Sequence, residues 1–508
     1  MQKDISEAIA WLKGIARAGT RLRLDSREIN PGDVFVALPG AHQDGRHFIP
    51  VAVARGASGV ILETPSAPLP AAGVPMFMAK GLAQKIGEIA AHFYGNPSAA
   101  LRGVAVTGTN GKTTTTHWIA SLLTRLSLPC AVLGTVGAKL GEQRFEVPEL
   151  TTPDAINLQA LFATVRDAGA SAFAIEASSV GLEQGRLNGA HFEVAVFTNL
   201  TRDHLDYHKT MQAYGQAKSL LFAWPTLKAA VVNLDDPAAA LMAEVAHAHG
   251  VPLWGTTQRC AESARCRKLG ELPIAHVLSA ERIRLSREGI EFTLNIDGVL
   301  HSVHLPQVGD FNVSNAMQAL ATVLAMGFNA EAAVGLLSTL PSPPGRMQLL
   351  SAKASPLAVV DYSHTPDALE KALESLRVVA QARGGALWAV FGCGGDRDSG
   401  KRPIMGAIAA RLADHVIVTS DNPRTEDPDA IIAQITASLS TLRTERDRAA
   451  AIKMAVLEAA PEDVILVAGK GHETYQIIGT VHHYFSDQEV VKAAFNERRT
   501  RASMGSEN

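Results

Sequence analysis

The strongest constraint on this chain is a rhythm that its sequence repeats in two blocks. Short apolar runs rich in β-branched residues break off at glycine or polar residues, and a helical pattern follows each. In the first block these are LRGVAVTG, PCAVLGTV, AFAIEASS, VAVFTNL and AAVVNLDD; in the second, PLAVVDY, ALWAVFGCGG, HVIVTSDNP and DVILVAGKG. Runs of this kind are buried on both faces, so the rhythm predicts βαβ units around mostly parallel sheets. A Pro-rich joint, LPSPPGRM at 340–347, separates the blocks, and Gly95-Asn96-Pro97 closes a helix ahead of the first. The expected fold is α/β. It comprises a small N-terminal α/β domain (1–98), a central mostly parallel sheet (99–340), a C-terminal Rossmann-like domain (341–500) and a flexible tail (501–508). Residues 279–306 depart from the rhythm: they alternate, which predicts antiparallel hairpins, one turning at Asp297-Gly298. Hydrophobic residues make up 47% of 508, enough for several cores.

The central block opens with VAVTGTNGKTTTTHWIA at 104–120. Its strand-like run stops at Gly108, Asn110-Gly111 follows, and Lys112-Thr113 opens a helical pattern. Such a loop points backbone N–H groups at phosphate oxygens, and the helix dipole and a lysine add positive charge. The match to the Walker A pattern is partial, because Val106 stands where the first glycine belongs. Phosphate binding by a P-loop-type central domain is the reading.

Charge and composition exclude several classes. Lys+Arg number 47 against 50 Asp+Glu, for a net charge of −3, without the basic excess that nucleic acid calls for. The start, MQKDISEAIAWLKGIARAG, lacks the apolar stretch of a signal peptide, and no apolar run reaches the length of a membrane span. Four cysteines (Cys130, Cys260, Cys266, Cys393) make no disulfide framework, and Cys260-x5-Cys266 is no standard zinc spacing. A cytoplasmic, monomeric enzyme of small molecules is expected, with no nucleic-acid or membrane partner. The end, NERRTRASMGSEN, reads as a frayed tail after the last helix.

Polar clusters stand where the runs stop. Glu176, followed by Ser178 and Ser179, leaves two readings open: a Mg²⁺ carboxylate beside phosphates, or a helix N-cap cluster. In FTNLTRDHLDYHKT, His204 and His208 are four apart and would share a helix face, which invites zinc. The glutamate of His-Glu-x-x-His is absent, so a single histidine serving Mg²⁺ is preferred. Lys218 reads, on residue type, as a solvated or snorkelling helix lysine. In the second block GCGGDRDSGKRPIM gathers Asp396, Arg397, Asp398, Lys401 and Arg402. SDNPRTEDP sets Asp421, Asn422 and Arg424 at a strand end, and AGKGHE supplies Lys470, His472 and Glu473. Open α/β sheets bind ligands beyond the carboxyl ends of their strands. Groups of both signs there suit a zwitterion, with arginine taking a carboxylate through two parallel bonds.

Together TGTNGKTT (107–114), TTPD (151–154), EASS (176–179), NLTRDHLDYH (199–208), GDFNVSNAMQA (309–319), DYSHTPDALE (361–370), FGCGGDRDSGKRP (391–403), DNPRTEDP (421–428) and AGKGHE (468–473) resemble the Mur ligases. The likeness runs in order over nearly the whole chain and is greatest to the diaminopimelate-adding type. It implies an ATP-dependent amide ligase of peptidoglycan precursor synthesis. Such a ligase joins meso-diaminopimelate to the D-glutamate γ-carboxylate of UDP-N-acetylmuramoyl-L-Ala-D-Glu through an acyl phosphate, with ATP and Mg²⁺ as cofactors.

By the same resemblance Gly108, Thr109, Asn110, Gly111, Lys112, Thr113 and Thr114 hold the ATP phosphates, Lys112 at the β/γ positions. Asn312 and Asp361 hold adenosine, and Arg346 reaches the phosphates. Thr113, Glu176 and His204 serve Mg²⁺, as does Lys218 in the form of a carbamate, its anionic CO₂ adduct. Lys112, Glu176, His204 and Lys218 form the expected catalytic set. Ser26, His42 and Gln43 fall in the UDP-binding N-terminal region, while Thr151, Thr152, Ser178, Gln184 and Arg186 match positions that hold the muramoyl-dipeptide. Arg397, Asp421, Asn422, Arg424, Gly469 and Glu473 match contacts to diaminopimelate, with Arg424 on its distal carboxylate. Lysine would set an ammonium against that arginine, a like-charge clash.

Val106 fits the family's own form of the loop, and residues 258–285 carry no assignable motif. The competing expectations are an L-lysine-adding ligase, a folylpolyglutamate synthase-like ligase, and a P-loop kinase or ATPase. The last leaves the C-terminal clusters idle. A non-catalytic UDP-sugar sensor has little use for Glu176, His204 and Lys218 together.

Overall fold

The computed structural model describes residues 2–505 except 41–42, 65–72, 147–149, 260–267, 287–288, 438 and 440–441. The chain divides into two compact units. Segments Met1–Thr107, Leu123–Ala195 and Ala217–Lys228 make the first; Gly108–Leu122, Val196–Gln216 and Ala229–Asn508 make the second.

The first unit begins with four parallel strands in sequence order, Leu22–Arg23, Val34–Ala37, Gly59–Glu63 and Met76–Ala79. Alternate residues of one strand go to opposite cores. Val34 and Val36 pack with Ile5, Leu12, Ile86 and Ile89, while Phe35 and Ala37 pack with Ile49 and Ala52. Both faces are covered, which is why VFVA and GVIL read as unbroken apolar runs. The helix Leu82–Phe93 stops where expected, with Gly95 at φ 77° and Asn96 at φ 49°. Beyond it Arg102–Thr107 pairs parallel with Ala172–Glu176, and Ala172–Glu176 pairs parallel with Cys130–Gly134. Gly137–Leu140 and Gln143–Phe145 then extend this sheet antiparallel.

In the second unit Ala229–Asn233, Leu253–Thr257 and His276–Ser286 run parallel. From there Gly289–Ile296 and Val299–Leu305 continue antiparallel. The last hairpin turns at Asp297 (φ 50°) and Gly298 (φ 104°), as the Asp-Gly pair predicts. The second block forms a six-stranded sheet in the order Gln348–Leu350, Leu357–Asp361, Val464–Ala468, Leu387–Phe391, His415–Val418, Arg443–Thr444. All but the first pairing are parallel. Leu387, Ala389 and Phe391 face one core, Trp388 and Val390 the other. The fold is α/β with mostly parallel sheets, as the rhythm predicts. Five strands here share a direction, so their carboxyl ends open on one edge.

Three local expectations fail. Residues 496–505 are not a frayed tail but the end of the helix Asp487–Gly505; 506–508 lie outside the described residues. His204 and His208 share no helix face, because the helix is only Leu205–His208 and His204 precedes it at φ 53°. Lys218 is 1% exposed, not solvated. Cys260 and Cys266 lie outside the described residues, whereas Cys130 and Cys393 are buried free thiols. Among the described residues no helix is long and apolar enough to cross a membrane.

Candidate active site

The phosphate-type loop belongs to the second unit, and its shape depends on two glycines. Gly108 has φ 149°, and a Cβ there would lie 1.8 Å from Thr198 Oγ1. At Gly111, φ 85°, a Cβ would lie 2.5 Å from Asn315 Oδ1. Thr109 N donates to Asn199 O (2.8 Å) and Asn110 N to Asn199 Oδ1 (2.9 Å). Thr198 Oγ1 and Asn199 Nδ2 donate to Asn110 O at 2.6 and 3.1 Å. Lys112 opens the helix Lys112–Arg125 and turns its Nζ back onto Gly108 O and Thr109 O, both at 2.8 Å. The ammonium is thereby fixed at the mouth of a loop at a helix N-terminus, where an anion is favoured.

Arg346 reaches this loop from a distant part of the sequence. Its Nη2 donates to Thr113 Oγ1 at 2.7 Å, and its guanidinium lies 4.4 Å over the ring of Tyr362. Asp361 sets that approach, because its Oδ2 accepts from Met347 N (2.7 Å) and its Oδ1 from Ser363 N (2.9 Å) and Ser363 Oγ. Asn312 donates to Val308 O (2.8 Å) and accepts from Asn315 (3.1 Å). Asp203 lies 3.5 Å from His204 Nε2 and 3.7 Å from His364 Nε2. Burial would raise its carboxyl, but His364 and His204 outweigh that and hold it well below the usual range. Thr114 is buried in the first turn of the loop helix.

In the first unit Glu176 is 1% exposed at the end of its strand. Its Oε1 accepts from Thr135 N (2.9 Å) and its Oε2 from Thr135 Oγ1 (3.1 Å). The Thr135 hydroxyl also lies 3.1 Å from Thr151 Oγ1, and Thr152 Oγ1 donates to Glu176 O at 2.8 Å. Ser178 caps the helix Ser179–Glu183 by accepting from Gly181 N and lies 2.9 Å from Thr152 Oγ1. Arg186 donates to Thr152 O (3.0 Å) and to Gln184 Oε1 (2.7 Å). One hydrogen-bonded network thus joins Thr151, Thr152, Glu176, Ser178, Gln184 and Arg186. Ser26 is buried in the turn Ser26–Glu28, Gln43 is exposed, and His42 lies outside the described residues.

The third grouping occupies the carboxyl ends of the second unit's six-stranded sheet. Asn422 Nδ2 donates to Glu473 Oε2 (3.0 Å), and Lys470 Nζ donates to both Asn422 Oδ1 (3.0 Å) and Glu473 Oε2 (2.8 Å). Asp421 packs on Gly469, where a Cβ would lie 2.4 Å from its Oδ2. That oxygen is buried with no hydrogen-bond partner. Burial pushes the Asp421 carboxyl up, and the charges of Lys470 and Arg448 overcome it, so it stays below the ordinary value. Arg424 donates to Gly395 O at 2.8 Å. Burial first, and then the charge of exposed Arg397, lower its pKa. Two guanidiniums and a buried acid thus set charges of both signs at these strand ends, a donor set chemically suited to a carboxylate and an ammonium.

The sequence left Tyr362 and the fully buried Arg448–Asp487 pair unassigned. Tyr362 had one signal, its place directly after the strand that ends in Asp361. Arg448 and Asp487 had none. Among the described residues no group of three or more His, Cys, Asp or Glu side chains is arranged to hold a metal by itself.

Three family models match in chain order: Mur ligase family, catalytic domain over 20–94; Mur ligase middle domain over 106–323; and Mur ligase, glutamate ligase domain over 345–471. A UDP-N-acetylmuramoyl-L-alanyl-D-glutamate--2,6-diaminopimelate ligase of Janthinobacterium sp. (strain Marseille) is 44% identical over 503 residues, 97% of each chain. The enzyme of that name in Pseudomonas aeruginosa is 45% identical over 93% of this chain and 94% of its own. A solved structure of such a ligase is 38% identical, with TM-score 0.65 over 94% of this chain and 95% of that one. A folylpolyglutamate synthase from Mycobacterium tuberculosis, 17% identical with TM-score 0.59 over 75% of this chain and 91% of its own, shares the fold alone.

Proposed function

The chain belongs to the Mur ligase family, and from that membership we propose that it is an ATP-dependent amide ligase adding meso-diaminopimelate to UDP-N-acetylmuramoyl-L-Ala-D-Glu. A carboxylate is a poor electrophile, which is why ATP is needed. A γ-carboxylate oxygen of D-glutamate attacks the γ-phosphorus and the β–γ bridge breaks, releasing ADP and leaving an acyl phosphate. The amine of diaminopimelate then attacks the acyl carbon. The amine loses a proton, and inorganic phosphate departs with the former carboxylate oxygen. Phosphoryl transfer of this kind is catalysed mostly by positioning and charge neutralisation. Lys112, the loop amides and Arg346 serve the phosphates in this reading, Asn312 and Asp361 the adenosine. The Thr151–Arg186 network serves the dipeptide, with Ser26, His42 and Gln43 serving the uridine end.

The observation that carries the choice of amino acid is the intact Asp421-Asn422-Pro423-Arg424 turn. It holds a partly buried arginine that Arg397 repels, next to the Asp421–Glu473 acids. Diaminopimelate presents a distal carboxylate to that arginine; lysine does not. Mg²⁺ fits the donor types available, a carboxylate, a hydroxyl and an imidazole beside phosphate oxygens. Thr113, Glu176 and His204 are each proposed to serve it, and the buried Lys218 after its amine has bonded to CO₂ and lost a proton. When bound, Mg²⁺ neutralises charge on the transferred phosphoryl group.

The decisive test is ADP release with UDP-N-acetylmuramoyl-L-Ala-D-Glu and either meso-diaminopimelate or L-lysine, with mass spectrometry of the product. Amide formed with diaminopimelate alone is the expected result; amide formed only with lysine would overturn the reading of Arg424. A second expectation concerns Glu176. A Cβ at Gly134 would lie 2.3 Å from Glu176 Oε1. Gly134→Ala should therefore displace the carboxylate and raise the Mg²⁺ concentration for half-maximal rate by about tenfold or more. An unchanged Mg²⁺ titration would remove Glu176 from the metal's ligands.

A further inference from the structure

The turn that carries Arg424 is held by a β-hairpin that the reaction chemistry does not use. Among the described residues, strands Tyr475–Ile478 and Val481–Tyr484 form a two-stranded sheet of their own. The hairpin's surface is exposed: Ile478 is 49%, Val481 54% and Tyr484 72% accessible. A two-stranded hairpin with so little buried surface is marginal by itself and adds little to a core. Its polar groups instead converge on the Asp-Asn-Pro-Arg turn. Gln476 Nε2 donates to Asp421 O at 2.7 Å, and Ile477 N donates to Asn422 Oδ1 at 2.9 Å. Arg424 N donates to Ile477 O at 3.1 Å, and Gly479 N donates to Arg424 O at 2.8 Å, in an isolated parallel bridge between Arg424 and Ile478.

Four bonds to three residues of a four-residue turn are more than a loop needs to stay in place. The reason is the backbone of Arg424, which has φ 52°, a left-handed conformation that non-glycine residues seldom adopt. A strained conformation persists only where its surroundings over-determine it. Relaxed to the ordinary β or helical region, the same residue would aim its side chain elsewhere. From the other side Asp396 accepts from Thr425 N (3.2 Å) and Thr425 Oγ1 (2.8 Å), so the hairpin and this acid grip the turn between them.

We infer that the hairpin Tyr475–Tyr484 determines amino-acid specificity by fixing the conformation of Arg424, with Gln476 as its positioning residue. The inference rests on the amino-acid site proposed above. Gln476 touches no reacting atom; it sets the carbonyl that leads into the turn, and through it the aim of the guanidinium.

Gln476→Met keeps the length of the side chain and removes its donor. The expected result is a KM for diaminopimelate raised about tenfold, the loss of one net hydrogen bond. The preference for diaminopimelate over lysine should fall by a similar factor, with kcat and the KM for ATP within about twofold. Gln476→Glu, which sets a carboxylate against the Asp421 carbonyl, should move the same KM further. In an Arg424→Ala background Gln476→Met should change that KM less than twofold, because the group it aims is gone. A merely structural role would instead lower kcat, ATP affinity and melting temperature together, in either background. An unmoved diaminopimelate KM, or a tenfold effect that survives Arg424→Ala, overturns the inference alone. Wild-type enzyme that forms no amide with diaminopimelate overturns the ligase reading and the inference with it.

Discussion

Lys112→Met is expected to lower kcat/KM for amide formation about 100- to 1,000-fold while leaving the melting temperature within a few degrees. Methionine keeps the apolar stem and removes the ammonium, so the variant separates charge from packing. The ammonium donates to Gly108 O and Thr109 O at 2.8 Å each, which fixes it at the start of the helix Lys112–Arg125. There its charge adds to the positive end of the helix dipole, at the proposed site of the phosphates. A preorganised donor aimed at developing negative charge is typically worth that factor in rate. The loop itself does not need the lysine to hold its shape, because Thr198, Asn199 and Thr201 supply its other bonds. ADP release at saturating amino acid reads the rate, and thermal unfolding reads the fold. A loss smaller than tenfold would remove Lys112 from the phosphate site.

The sequence exposed what is local and periodic. The βαβ rhythm, the hairpin turn at Asp297-Gly298 and the polar clusters at strand ends each depend on a few neighbouring residues. The site depends on pairings between remote ones. Arg346 meets Thr113 across 233 residues of sequence, and nothing near either says so. Lys218 shows the limit for single residues: its type predicts solvent, and burial comes from the fold around its helix. His204 shows the limit for spacing, since a four-residue interval implies a shared face only if the chain is helical through both positions. The tail failed for a related reason. NERRTR has no apolar residue to set a period, and it is held by contacts that periodicity does not reveal: it follows the buried Phe495, and Arg498 donates to Val456 O and Ala459 O.

Asp487→Ala is expected to cost about 3–5 kcal/mol of folding stability, the largest single effect on the fold among these predictions. Arg448 and Asp487 are both fully buried, joined by two bonds of 2.8 Å from Nε and Nη2 to the two carboxylate oxygens. Burial alone would lower the pKa of Arg448, but the Asp487 charge reverses that and raises it, so the guanidinium stays charged. Removing the acid leaves that charge unpaired in the core, and the penalty is desolvation rather than the worth of the pair. The consequence reaches the proposed amino-acid site, because Arg448 also donates to Ala468 O (2.9 Å) and Ser420 O (3.4 Å). Those carbonyls immediately precede Gly469 and Asp421, so an arginine that moves toward solvent takes two strand ends with it. The double variant Arg448→Met/Asp487→Ala removes both charges and should recover more than half of the lost stability, though not the geometry of the two carbonyls. Urea unfolding of the three proteins, with the diaminopimelate KM of each, separates these terms. If the double variant is no more stable than Asp487→Ala, the cost lies in lost packing and not in a stranded charge.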